Sequence, residues 1–145
     1  MSRTVLGRVQ EPFRALVCTF VPEAAGLSSG AWVEGEALAE SLLAGRPAAV
    51  RRQVSVLVRA LDLLALVRTG RRLARLDPET RTRLLSTLQD HRIPLVRRGI
   101  WGLRTLAFLV YYGRPEGRAA VGYRPDPAGW TARRSKRTGD PERNR

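Results

Sequence analysis

The chain has 145 residues, 43% of them apolar and 27% charged, with a formal net charge of +13. That length and balance describe one globular domain with a real core rather than a disordered chain. One cysteine and one histidine exclude an intrachain disulfide, a cysteine-based metal site, a multi-histidine ligand set and Cys-x-x-Cys-His haem attachment.

The positive charge comes almost wholly from arginine, Lys136 being the sole lysine. Such a charge suits nucleic acid, an anionic membrane surface or an acidic protein partner. A GC-rich codon bias would give the same arginine excess without physical specificity. The opening MSRTVLGRVQEPFR shows no apolar signal core, no cleavage site and no twin-arginine export motif. No stretch reaches the ~18 apolar residues of a membrane span. Gly99–Gly113 comes nearest and contains Arg104. The expected location is cytoplasmic.

Glu11-Pro12 opens a first helix, proline being tolerated in the first turn. Phe13, Leu16, Val17, Phe20 and Val21 form its buried stripe, and Pro22 stops it. Cys18 lies beside that stripe as a small, partly buried hydrophobe. Gly26–Trp32, rich in glycine and serine, reads as a loop. Val33–Ala44 is then a short helix with Leu38, Leu42 and Leu43 inward and Glu36 and Glu40 outward. Gly45 ends it.

Ala48–Arg68 is the longest predicted helix. Val50, Val54, Leu57, Val58, Leu61, Leu64 and Ala65 make one stripe; Val56, Ala60, Leu63 and Val67 make a second beside it. With so little polar edge, this helix is expected at the centre of a bundle. Asp62 stands three residues after Arg59, the spacing of a helical ion pair. Gly70 breaks the helix, and Arg71–Leu76 is a turn that packs Leu73 and Leu76.

Asp77-Pro78-Glu79 is a strong helix start, with Asp77 as cap. That helix runs to about Asp90, burying Leu84, Leu85 and Leu88 and leaving Arg81 and Arg83 in solvent. His91, just beyond its end, is the chain's one good general base and is expected in solvent. Ile93-Pro94 starts the last long helix. Its inner stripe is Val96, Gly99, Ile100, Leu103, Ala107 and Val110, and Gly99 and Gly102 are expected where another helix crosses closely.

A separate stripe on the same helix alternates arginine and aromatic: Arg97, Trp101, Arg104, Phe108 and Tyr111, at spacings of 4, 3, 4 and 3. This is the least core-like pattern in the chain. With the adjoining Tyr112 and Tyr123 it makes the candidate partner interface, since exposed aromatics and arginine are the commonest interface anchors. Gly113-Arg114-Pro115 ends the helix. The chain divides into an N-terminal extension (residues 1–9), a helical domain (10–125) and a basic tail (126–145) whose composition predicts disorder. No strand pattern appears. The expected fold is all-α, a compact bundle of about five helices.

The landmarks taken in order suggest a family. They are Phe20-Val21-Pro22-Glu23, GRRLARLDPETRTRLL (Gly70–Leu85), IPLVRR (Ile93–Arg98) and LAFLVYYGRPEGRAAVGY (Leu106–Tyr123). Together they resemble the gluconate 2-dehydrogenase subunit 3 family over roughly Pro12–Pro125, most specifically at Tyr111-Tyr112-Gly113 and Gly122-Tyr123. The resemblance implies a non-catalytic accessory subunit that binds, stabilises or helps mature a large flavoprotein. That partner would be an FAD-dependent oxidoreductase of the glucose–methanol–choline (GMC) type acting on a sugar, alcohol or sterol-like substrate. The chain itself would bind no cofactor and no metal. Many members of that family begin with a twin-arginine signal, and this chain departs from them there. The alternative is a basic helical nucleic-acid-binding protein, acting through its charge and its tail. A stand-alone enzyme would need a partnered nucleophile or a dinucleotide fingerprint, and the sequence offers neither.

Overall fold

The structure is a computed structural model that describes residues 4–122. These residues form six α-helices: α1 (Gln10–Phe20), α2 (Ser29–Ala44), α3 (Ala48–Thr69), α4 (Pro78–Gln89), α5 (Pro94–Tyr112) and α6 (Pro115–Ala120). Two 3-10 turns, Pro22–Gly26 and Leu73–Arg75, connect α1 to α2 and α3 to α4. The fold is all-α, as expected. The basic tail (126–145), and Tyr123 ahead of it, lie outside the described residues.

Local chemistry sets most of the boundaries. The Thr80 N–H donates to Asp77 Oδ2 at 2.8 Å, so Asp77 caps α4 and holds its own carboxyl below the usual range. Proline stands at the first position of α4, α5 and α6, where its missing N–H costs no helical bond. Gly70 ends α3 at φ +73°, a left-handed conformation open to glycine, and its N–H donates to the Leu66 carbonyl.

The core gathers around α5, which packs against all five other helices. Ile100, Leu103, Leu106, Ala107 and Val110 are buried there, opposite Phe13, Leu16 and Val17 of α1 and Leu84, Leu85 and Leu88 of α4. Leu6 and Val9 join the same core, so packing begins ahead of residue 10. Small residues set the closest approaches. A Cβ on Gly35 of α2 would stand 2.5 Å from the Val110 carbonyl oxygen of α5, so only glycine lets those two backbones meet. Gly99 lies against Leu57 of α3, as expected of a crossing point. Gly102 has open space around it, so the second expected crossing does not exist.

Three further expectations are corrected. First, α2 begins at Ser29, inside the stretch read as a loop, because Ser28 Oγ accepts the Ala31 N–H and Trp32 is buried. Its inward residues are Trp32, Gly35, Ala39 and Leu43, while Leu42 is exposed and Leu38 half-buried. Its acids also turn inward. Glu36 takes two hydrogen bonds from Arg14, at 2.6 and 3.0 Å, which raises the Arg14 pKa, and Glu40 accepts the Leu6 N–H.

Second, α3 is peripheral rather than central. Val58, Leu61 and Ala65 are its buried apolar residues; Val56, Ala60, Leu63 and Val67 face out. Third, Asp62 does not pair with Arg59. It is buried, accepts the Leu73 N–H at 3.0 Å and takes a 2.6 Å bond from Arg72. Its work is to tie the Leu73–Arg75 turn back onto α3.

Candidate partner interface

The outer face of α5 carries the arginine–aromatic stripe, and four of its members share that face. Trp101 is 54% exposed and Phe108 37% exposed, large values for residues of this size. Arg104 lies between them, its guanidinium carbon 5.2 Å from the Trp101 ring centre and 5.3 Å from that of Phe108. Such contacts contribute about 0.5–1 kcal/mol each at exposed sites, and more once water is removed. The Arg104 Nε is buried without an acceptor among the described residues. Arg97, one turn before Trp101, is exposed and reaches the His91 carbonyl at 3.5 Å.

The tyrosines divide. Tyr112 continues the face, its ring 6.0 Å from Phe108. Tyr111 turns away from it, meets Tyr112 edge-on at 4.9 Å and lies under Arg114 at 5.6 Å. Both tyrosines are half-buried against the core, so they anchor the face as well as extend it. Arg114 is itself buried and donates to the Val110 carbonyl at 3.2 Å, which fixes the α5–α6 corner. Beside Phe108 and Tyr112 is an open apolar hollow of about 400 Å³, lined also by Leu109, Arg118 and Val121. Tyr123 lies outside the described residues.

Reactive groups elsewhere have structural surroundings. Cys18 is half-buried beside the core, and burial pushes its thiol pKa up despite nearby Arg81 and Arg14. His91 is half-buried rather than solvated, and its Nδ1 accepts the Ile93 N–H at the start of α5. Arg81, expected in solvent, is half-buried with its Nε lacking an acceptor among the described residues. Among the described residues no three His, Cys, Asp or Glu side chains converge as a metal would require.

A second surface was not legible in the sequence. The α3 stripe Val56, Ala60, Leu63 and Val67 is exposed, with Leu63 at 59% and Val67 at 75%. It borders a cleft of about 1180 Å³ between residues 7–12, α3 and the Arg71–Arg75 segment. Arg8, Arg59, Arg71, Arg72 and Arg75 all line that cleft. Five arginines, from three separated segments, thus meet at one place.

Neither a protein-family model, nor a curated protein, nor a solved structure matches this chain.

Proposed function

We propose that this chain is a non-catalytic binding subunit of a large FAD-dependent oxidoreductase of the GMC type, assembled in the cytoplasm. The observation that carries the binding role is the exposed Trp101–Arg104–Phe108 stack on α5. A rigid aromatic pair with a guanidinium between them is the kind of group that anchors protein interfaces, because it offers large contact area at little cost in side-chain entropy. Tyr112 and the adjoining hollow would receive apolar side chains of the partner, and Arg97 would meet its polar rim. The partner's class is supported by the residue resemblance at Gly70–Leu85 and Leu106–Tyr123. FAD and the chemistry on a sugar, alcohol or sterol-like substrate would belong to that partner.

The test is to isolate the tagged chain from its own cells and record the visible spectrum of what comes with it. The reading expects a larger protein with a flavin band, and a colourless chain once the two are separated. Recovery of the chain with nucleic acid and no flavoprotein would favour the alternative, nucleic-acid binding driven by the +13 charge.

A further inference from the structure

The outward stripe of α3 and the arginine cleft form one continuous surface, because Leu63 belongs to both. By helical spacing Arg52 and Arg59 flank the stripe on its cleft side. Arg71 and Arg75 stand beyond its C-terminal end, and Arg8 lines the cleft from the N-terminal segment. Among the described residues none of Arg8, Arg59, Arg71 and Arg75 is paired with a carboxylate. Asp62, the acid of α3, is turned inward and committed to Arg72 and the Leu73 N–H. What remains outside is an aliphatic row with guanidinium groups along one edge and across its end; they outnumber Glu11, the other acid lining the cleft.

We propose that this surface docks an acidic amphipathic helical segment of a partner protein. Its apolar residues, at i, i+3 or i+4 and i+7, cover Val56, Ala60, Leu63 and Val67, as an amphipathic helix covers a groove. Its carboxylates meet Arg59, Arg71, Arg75 and Arg8, whose planar forks suit bidentate carboxylate pairing. Charge decides against a second copy of this chain, since self-docking would bring Arg52, Arg59, Arg71 and Arg75 against like charges. Side-chain type decides against a nucleic-acid strand. Such strands bind where basic residues alternate with aromatic platforms for the bases, and this cleft has Leu63 and Leu66 with no aromatic lining. The surface is separate from the α5 face, so the inference stands or falls apart from the flavoprotein reading.

The test uses the full chain and four probes. One is a synthetic helical peptide with leucine at the stripe positions and glutamate beside them. A second has the same composition with its periodicity broken, a third has lysine for glutamate, and the fourth is single-stranded DNA. The acidic amphipathic peptide should bind at least about tenfold more tightly than the other three. Leu63→Glu and Arg59→Glu should each weaken it by about tenfold, the range of a modest interface anchor. Both positions are exposed, and a melt checks that each variant stays folded; Arg59→Glu carries the test if Leu63→Glu does not. Trp101→Ala should leave peptide binding unchanged. Equal binding of the broken-period peptide would overturn the proposal. So would tighter binding of DNA lost in the same variants, or a concentration-dependent dimer abolished by Leu63→Glu.

Discussion

Helices α3 and α5 are both long and both rich in apolar residues, yet the bundle treats them differently. Four other helices surround α5, besides the short α6 that follows it, and its residues Ile100, Leu103, Ala107 and Val110 are fully enclosed. Helix α3 lies on the outside, covered on one side only, with Val56, Leu63 and Val67 in water. Apolar content alone therefore does not locate a helix. Neighbours do, and neighbours depend on where small residues permit close approach: Gly35 against Val110, Gly99 against Leu57. Each of Val56, Leu63 and Val67, already partly covered, leaves about 1–2 kcal/mol of burial unrealised until something covers the rest.

Stability measurements tell the two helices apart. The largest expected effect is at the centre. Ile100→Ala should cost about 3 kcal/mol in urea unfolding, as a cavity at a fully buried site does. Leu63→Ala on α3 should change stability by no more than about 0.5 kcal/mol. Equal losses at the two positions would mean that α3 is not the outer helix.

Next in size is Gly35→Ala. The added methyl would meet the Val110 backbone, which cannot swing aside, and should cost about 2 kcal/mol by the same measurement. Gly102→Ala on α5 has open space and should stabilise the helix by up to about 1 kcal/mol. Opposite signs for these two glycines would sharpen the account of which face of α5 is packed.

A smaller effect tests how α3 is tied down. Asp62→Ala leaves the buried Leu73 N–H without an acceptor and should cost about 1–2 kcal/mol. Arg72 is largely exposed, so its loss of a partner adds little. Arg59→Ala should have no such effect.

The smallest effect is a pH dependence at the α4 cap. The Asp77 carboxyl is held below its ordinary pKa by the Thr80 N–H. A lowered carboxylate stabilises the fold above the unfolded-state pKa, and that contribution is lost as pH falls through the native-state value. The gap in melting temperature between the natural chain and Asp77→Ala should thus be full at neutral pH and close in acid. A gap that widened in acid would contradict the cap.

Much of this was legible in the sequence because its signals are local. Asp77-Pro78 and the Leu84, Leu85, Leu88 row defined α4, and the period of Phe13, Leu16 and Val17 defined α1. The 4-3-4 spacing of Arg97, Trp101, Arg104 and Phe108 showed the outer face of α5. Tyr111 departs from that face because its ring meets Tyr112 edge-on and lies under the buried Arg114 of the α5–α6 corner, a non-local placement that spacing does not show. Non-local facts were hidden. The stretch Gly26–Trp32 has loop composition, yet its second half, Ser29–Trp32, belongs to α2, where Trp32 and Gly35 are buried. Two apolar stripes on α3 look alike until the neighbours are known. The cleft joins arginines from residues 8, 59 and 71–75, a grouping that no local pattern announces.

The Trp101–Arg104–Phe108 face of α5 points outward, and the role proposed for it is to bind a partner rather than to complete the core. The most direct measurement is Trp101→Ala, read by partner affinity and by urea unfolding of the isolated chain. An affinity loss of about 2 kcal/mol or more is expected, as for a typical interface anchor, with the unfolding midpoint nearly unchanged. A collapse of the cooperative unfolding transition, with affinity falling only as far as stability does, would place Trp101 in the core and contradict it.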